Sequence, residues 1–301
     1  MIRIGVDFGG TKIEAAALGS DGGFVARVRR PNPGEYQGSI EVVRTLVAEV
    51  EQQAGVRNAL VGVGMPGSIS PKTGLIRNAN SVWLNGRAFK EDLEAALERP
   101  LRMENDANCF ALSEALGGAA EGSEVVFGAI LGTGCGGGVV VRGKTVEGVN
   151  RIGGEWGHTP LPWPSADERA AHACWCGRSN CLETWISGSA FAADYARRSG
   201  QSLASPQIIE LARANDPAAA QTLESYVDRL SRALAVICDI IDPDVIVFGG
   251  GMSNVAELYQ LTPPAAARYA FSDVFMTAIR PAAFGDSSGV RGAAWLWPIP
   301  P

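Results

Sequence analysis

Two glycine-rich loops, each entered from an apolar strand, constrain this chain more than any other feature. Asp7-Phe8-Gly9-Gly10-Thr11-Lys12 follows Ile2 to Val6, and Gly132-Thr133-Gly134-Cys135-Gly136-Gly137-Gly138 follows Val125 to Leu131. Glycine lets the backbone come close to an anion, so that several N–H groups can point at phosphate oxygens with no Cβ in the way. Thr11 and Thr133 add hydroxyl donors. A tight hairpin turn accounts for either loop alone. A pair, both after apolar strands and both carrying threonine, points to one polyphosphate gripped from two sides. Asp7 is an acid where a phosphate loop would repel one, and a Mg²⁺ ion standing between carboxylate and phosphates reconciles the two.

The pattern around these loops predicts an α/β chain. Ile2 to Phe8, Lys12 to Leu18 and Phe24 to Arg29 read as strands, and Ile40, Val43, Leu46, Val47 and Val50 recur at helical spacing across 39–53. Leu60 to Gly64 and Leu101 to Met103 are short strands, the second running into Asn105-Asp106 and a helix over 107–116. The second half repeats the grammar with strands over 125–131 and 136–141. Helices follow over 190–198, 206–214 and 217–241, the last stopped by Asp242-Pro243. Asp244 to Phe248 is then a buried strand entering Gly249-Gly250-Gly251, and 288–296 is a terminal helix that packs back on the first domain. Two halves that each open strand, glycine hairpin, strand predict two related domains facing one cleft: 1–115 with 288–301, and 116–287.

A chain of 301 residues, 46% hydrophobic, can bury two such cores. A net charge of −6 and the lack of a basic stretch argue against nucleic acid or a membrane surface as partner. Met1 leads straight into the first strand with no charged-then-apolar leader, and no apolar run is long enough to span a bilayer, so a soluble cytoplasmic protein is expected.

Six cysteines are too few and too unevenly placed for a disulfide framework. Three cluster in Cys174-Trp175-Cys176-Gly177-Arg178-Ser179-Asn180-Cys181, a spacing that presents thiolates to one tetrahedral Zn²⁺. A fourth ligand must come from His158, in Gly154-Glu155-Trp156-Gly157-His158, or from the nearer His172, and spacing leaves the two tied. Trp175 and Arg178 read as packing and surface residues. Cys109, Cys135 and Cys238 read as small apolar filler.

Taken in order, Asp7 to Lys12, Leu131 to Gly134 and Val245 to Gly251 resemble the two phosphate motifs and the adenosine motif of the actin-like sugar kinase superfamily. Gly154 to His158 with Cys174-x-Cys176-Gly177-x3-Cys181-Leu182-Glu183 is similar to the ROK family (repressors, open reading frames and kinases), a likeness that runs from residue 2 to about 297. The resemblance implies the two-domain actin-like ATPase fold (RNase H-like) with an interdomain cleft, a homodimer, ATP and Mg²⁺ as cofactors, and a structural Zn²⁺ held by His158, Cys174, Cys176 and Cys181. One departure stands out: the family has glycine before the last cysteine, where this chain has Asn180, the least costly substitute if a left-handed backbone is needed.

Roles follow from the same likeness. Asp106 matches the catalytic aspartate, a carboxylate that takes the proton of the attacking sugar hydroxyl, although an aspartate before an apolar run is also the ordinary helix N-cap. Asn105, Glu155, His158 and Glu183 resemble the sugar-hydroxyl ligands, with Gly67 and Asn80 as weaker candidates. Asp7, Gly9, Gly10, Thr11, Lys12, Gly132, Thr133, Gly134, Gly136, Gly249, Gly250 and Gly251 would bind nucleotide. Asn78 to Gly86 and Gly285 to Trp295 look most like bacterial fructokinases of the manno(fructo)kinase type, which implies transfer to the 6-hydroxyl of fructose, with mannose second. N-acetylglucosamine kinases and glucokinases come next. Sugar-responsive repressors of the family carry a helix-turn-helix domain before the first strand, which this sequence does not present.

Overall fold

Residues 1–298 are described by a computed structural model. In chain order its first elements are β1 (Arg3–Phe8), β2 (Lys12–Leu18), β3 (Phe24–Pro31), α1 (Tyr36–Ala54), β4 (Leu60–Met65), β5 (Ser68–Ile69), β6 (Ile76–Arg77), α2 (Phe89–Leu97), β7 (Leu101–Asn105) and α3 (Asp106–Gly117). Then come β8 (Val125–Leu131), β9 (Cys135–Val141), β10 (Lys144–Thr145), α4 (Glu183–Ile186), α5 (Gly188–Ser199), α6 (Ser205–Arg213), α7 (Pro217–Ile241), β11 (Val245–Gly249), α8 (Glu257–Ala266), β12 (Ala278–Pro281) and α9 (Ser288–Trp295). They form two units. Unit 1 holds Met1–Glu121, Gly138–Gly154 and, among the described residues, 283–298, and unit 2 holds Gly122–Gly137 and Glu155–Ala282.

Unit 1 is built on a five-stranded sheet in the order β3-β2-β1-β4-β7. β1 pairs antiparallel with β2 and parallel with β4, so the first glycine loop is a hairpin beside a parallel pair of inner strands. Ile4, Val6 and Phe8 are fully buried, and the apolar stripe of α1 packs into the same core. That helix starts three residues before its expected position because the Glu35 carboxylate caps it, accepting from the N–H groups of Gln37 and Gly38. Glycine admits α9 to backbone contact. A Cβ on Gly62 would lie 1.9 Å from Ala293 O, and one on Gly292 would lie 1.7 Å from Cys109 O. The terminal helix therefore returns to the first unit, against β1, β4 and α3.

In unit 2, β8, β11 and β12 are parallel neighbours. Val245 to Phe248 are all buried, as a strand covered on both faces requires. α7 opens on Pro217 with the Asp216 side chain accepting from Ala219 N–H, and ends at Asp242 in the left-handed conformation before Pro243. β9 begins in unit 2 at Cys135, and its later residues belong to unit 1, where Val140 and Val141 pair with β10. Among the described residues no helix is long and apolar enough to cross a membrane.

Candidate active site and metal centre

In unit 1 the β1–β2 loop closes as a tight turn, with Gly9 N–H donating to Lys12 O at 3.0 Å. Gly10, Thr11 and Lys12 are exposed. Asp7 is the penultimate residue of β1, and its carboxyl is pushed up to about 7, first by burial and then by the negative charges of Asp106 and Glu14, with Lys12 and Arg29 opposing. Gly289 leaves space beside it, since a Cβ there would stand 3.0 Å from Asp7 Oδ2. An acid held against like charge with room at its oxygens fits a divalent cation.

Asp106 is the first residue of α3, and the N-cap is Asn105, whose Oδ1 accepts from Ala107 N–H at 2.9 Å. Asn105 Nδ2 donates to Gly67 O at 3.1 Å, so Gly67, Asn105 and Asp106 are brought together. Gly67 has φ 80°, and a Cβ on it would meet Arg77 O at 2.5 Å. Asn80 is exposed. Its turn is secured by Asn85, which exchanges two hydrogen bonds with the backbone of Ala79.

Glu104 was not singled out in the sequence. Its Oε1 accepts from Asn105 N–H at 2.7 Å and from Asn108 Nδ2 at 3.1 Å, bracing the turn that displays Asp106. Its Oε2 is buried with no donor. The neighbour is the Glu147 carboxyl, so contact between the two becomes a hydrogen bond only when one holds a proton. Burial first, then Glu147, pushes Glu104 up to about 7. An acid at the end of a strand, just before the Asn-Asp pair, was the available signal.

Unit 2 gathers the second glycine loop, the adenosine motif and the cysteine cluster. Gly132 O accepts from Gly188 N–H at 2.7 Å, which ties the loop to the start of α5. Gly250, with φ 77°, lies so close to Leu131 and Gly132 that a Cβ would be 2.6 Å from Leu131 C. A cavity of about 650 Å³ opens here, lined by Gly132, Thr133, Gly188, Ser205, Gly251 and Asn254 among others. Arg213 on its wall is held by Glu257 at 2.7 Å and Glu210 at 2.6 Å. No motif announces Ser205, Arg213 or Asn254. Gly136 O accepts from Trp156 Nε1 at 2.8 Å, which seats the turn between Glu155 and His158 against the loop.

Ligand atoms of His158, Cys174, Cys176 and Cys181 all lie within 4.8 Å of one another. Cys174 Sγ is 3.7 Å from His158 Nδ1, and Cys176 Sγ is 3.6 Å from Cys181 Sγ. Those edges suit a tetrahedron with metal–sulfur bonds of ~2.3 Å. His172 is turned away, its ring 4.3 Å from that of Trp185. Its backbone N–H donates to Asn180 Oδ1 at 2.8 Å. Asn180 has φ 60°, the left-handed conformation that the substitution for glycine required. Glu183 starts α4, and its Oε2 accepts from Cys135 N–H at 2.9 Å. Trp175, read from the sequence as packing, is instead 59% exposed and donates Nε1–H to Glu183 Oε1 at 2.6 Å.

The ROK family model matches residues 3–299. An N-acetyl-D-glucosamine kinase of Photobacterium profundum is 37% identical over 97% of this chain and 98% of its own length. The ROK hexokinase of Thermus thermophilus superposes with a TM-score of 0.86 at 32% identity, over 98% of this chain and 97% of that one. A ROK family glucokinase from Streptomyces griseus, in complex with glucose and AMPPNP, gives 0.80 at 26% identity, over 98% and 99%. The chain belongs to the ROK family. Its fold is the actin-like ATPase fold of that family's sugar kinases.

The fructose expectation, with mannose second, is corrected by these relatives: N-acetyl-D-glucosamine kinases match at 37% to 38% identity across nearly the whole chain. The physical reason lies in the two stretches that suggested the fructokinase type. Asn85 serves the Ala79 backbone, and Ser288 Oγ donates to the buried Glu114 carboxylate at 2.8 Å. Gly292 is set by contact with α3. These contacts are made to the scaffold of this chain.

Proposed function

We propose that this protein is an ATP-dependent N-acetyl-D-glucosamine kinase that transfers the γ-phosphoryl group to the sugar 6-hydroxyl. The reading is carried by the near full-length similarity to N-acetyl-D-glucosamine kinases. It is supported by the residues each unit assembles. In unit 1, Asp106 accepts the hydroxyl proton as the oxygen attacks, and Asn105, tied to Gly67, orients the hydroxyl. Asn80 is an outer contact.

Phosphoryl transfer depends on placing the reactants and offsetting charge. Asp7 would hold Mg²⁺, which when bound would neutralise charge developing on the phosphates. Gly9, Gly10, Thr11 and Lys12 belong to the same phosphate contact. In unit 2, Gly132, Thr133, Gly134 and Gly136 are a second set of phosphate contacts, and Gly249, Gly250 and Gly251 are the adenosine motif, of which Gly251 lines the cavity. Glu155, His158 and Glu183 contact sugar hydroxyls.

Zinc in the group formed by His158, Cys174, Cys176 and Cys181 is structural, because four protein ligands leave no open position. It fixes the segment that carries Glu183. The two units are the two lobes of the kinase. Assembly as a homodimer belongs to the same reading, supported by the exposed Ile240, Phe271, Val274 and Met276, and light scattering checks it. A cytoplasmic location belongs to the same reading.

Coupled ADP release across N-acetylglucosamine, glucose, mannose and fructose tests the substrate. N-acetylglucosamine is expected to give the highest kcat/KM. A higher value for glucose, the sugar bound in the Streptomyces structure, would overturn the assignment.

A further inference from the structure

Neither metal ligation nor packing accounts for the indole between Cys174 and Cys176. It is the larger part of a side chain left 59% exposed, yet it is held at two points. Nε1–H donates to Glu183 Oε1 at 2.6 Å, and the ring meets His158 edge-on, with centroids 5.1 Å apart at 82°. Glu183 is itself fixed from the other side by Cys135 N–H at 2.9 Å. A Cβ on Gly134 would sit 2.6 Å from that carboxylate, so the loop is shaped to let Glu183 in. The result is a rigid, exposed aromatic wall beside an aligned carboxylate.

That pairing has a chemical complement. Oε1 of Glu183 also has the Cys174 Sγ at 3.9 Å, whereas Oε2 accepts only from Cys135 N–H among the described residues and keeps room for a further donor, so the carboxylate can accept from an amide N–H or a hydroxyl. The indole beside it presents apolar surface that gains by being covered. An acetamido group offers an N–H and a methyl side by side. We propose that Trp175 is a specificity-determining residue, packing against the acetyl methyl of an N-acetylated hexose while Glu183 accepts a hydrogen bond from its amide. The inference rests on the proposed function, in which His158 and Glu183 face the sugar.

Steady-state kinetics with N-acetylglucosamine and with glucose, which lacks the acetamido group, provide the test. Trp175→Ala is expected to raise KM for N-acetylglucosamine about tenfold, the scale of one lost aromatic contact. kcat and the KM for ATP should change far less, and the KM for glucose hardly at all. Trp175→Phe keeps a ring without the N–H and should fall between. Zinc-to-protein ratio is measured for each variant, and Trp175→Phe decides the matter if the alanine variant loses metal. Quenching of tryptophan fluorescence by N-acetylglucosamine should shrink in Trp175→Phe. Wild-type KM for N-acetylglucosamine in both variants, or an equal rise for both sugars, overturns the proposal. A wild-type enzyme that ignores N-acetylglucosamine overturns the proposed function instead.

Discussion

Replacing Glu147 by glutamine is expected to stabilise the protein at pH 8 and not at pH 5. Glu104 rises from an ordinary 4.5 to about 7, which corresponds to a penalty of ~3 kcal/mol on its ionised form. Because the folded value lies above the unfolded one, the folded state binds more protons between those limits. The associated stability is therefore full below 4.5 and is lost as pH rises through about 7. Burial is the largest cause and survives the substitution. Glutamine removes only the opposing charge and offers its amide as a donor to Glu104 Oε2, so about 1 kcal/mol should return at pH 8. The ion pair that Glu147 makes with Arg151 at 3.0 Å is lost at both pH values, but at its exposed position it is worth ~0.5 kcal/mol or less. Thermal melts of wild type and Glu147→Gln at the two pH values read the difference, about 2 to 4 °C in favour of the variant at pH 8. An offset of the same size at pH 5 and pH 8 would refute the carboxyl-pair reasoning.

Three further outcomes are expected. Asp106→Asn should lower kcat by at least ~10²-fold, as loss of a general base does, while calorimetry shows nucleotide affinity unchanged; turnover near the wild-type rate removes Asp106 from the chemistry. Chelation of zinc should lower the melting temperature and the affinity for sugar together, and wild-type kinetics in demonstrably zinc-free protein would count against the structural role. Gly292→Ala, whose Cβ would lie 1.7 Å from Cys109 O, should destabilise by ~3 kcal/mol or more in a urea melt. Gly251→Ala, with open space around it, should leave the same transition in place.

What the sequence disclosed and what it withheld divide along a physical line. α7 was legible to the residue because its limits are local: Pro217 with an Asp216 cap at one end, Asp242-Pro243 at the other. β8 was legible because an unbroken apolar run must be buried on both faces. By contrast, the two-residue strands β5, β6 and β10 exist only through pairing with neighbours, and nothing in their own residues requires it. The cysteine cluster was legible as a candidate metal group, which the ligand atoms' proximity allows, but its spacing did not choose between the two histidines. Asn180 settles that choice by binding His172 through its backbone, on N–H and C=O alike. His172 is then committed to the turn, while its ring goes to Trp185.

Substrate choice was the least legible. In the stretches that resembled fructokinases, Asn85, Ser288 and Gly292 hold the scaffold together, and a residue so engaged discriminates nothing about a ligand it does not touch. Discrimination between hexoses must come from side chains that face the sugar. Among the described residues, the exposed aromatic seated beside a proposed sugar carboxylate is Trp175. Its position between two of the candidate ligand cysteines hid it, because in sequence it reads as a packing residue. Yet those cysteines are what make it informative: the proposed metal, by fixing Cys174 and Cys176, would fix the backbone of the residue between them. A side chain so placed can be left exposed and still be held still, which is what a specificity wall requires.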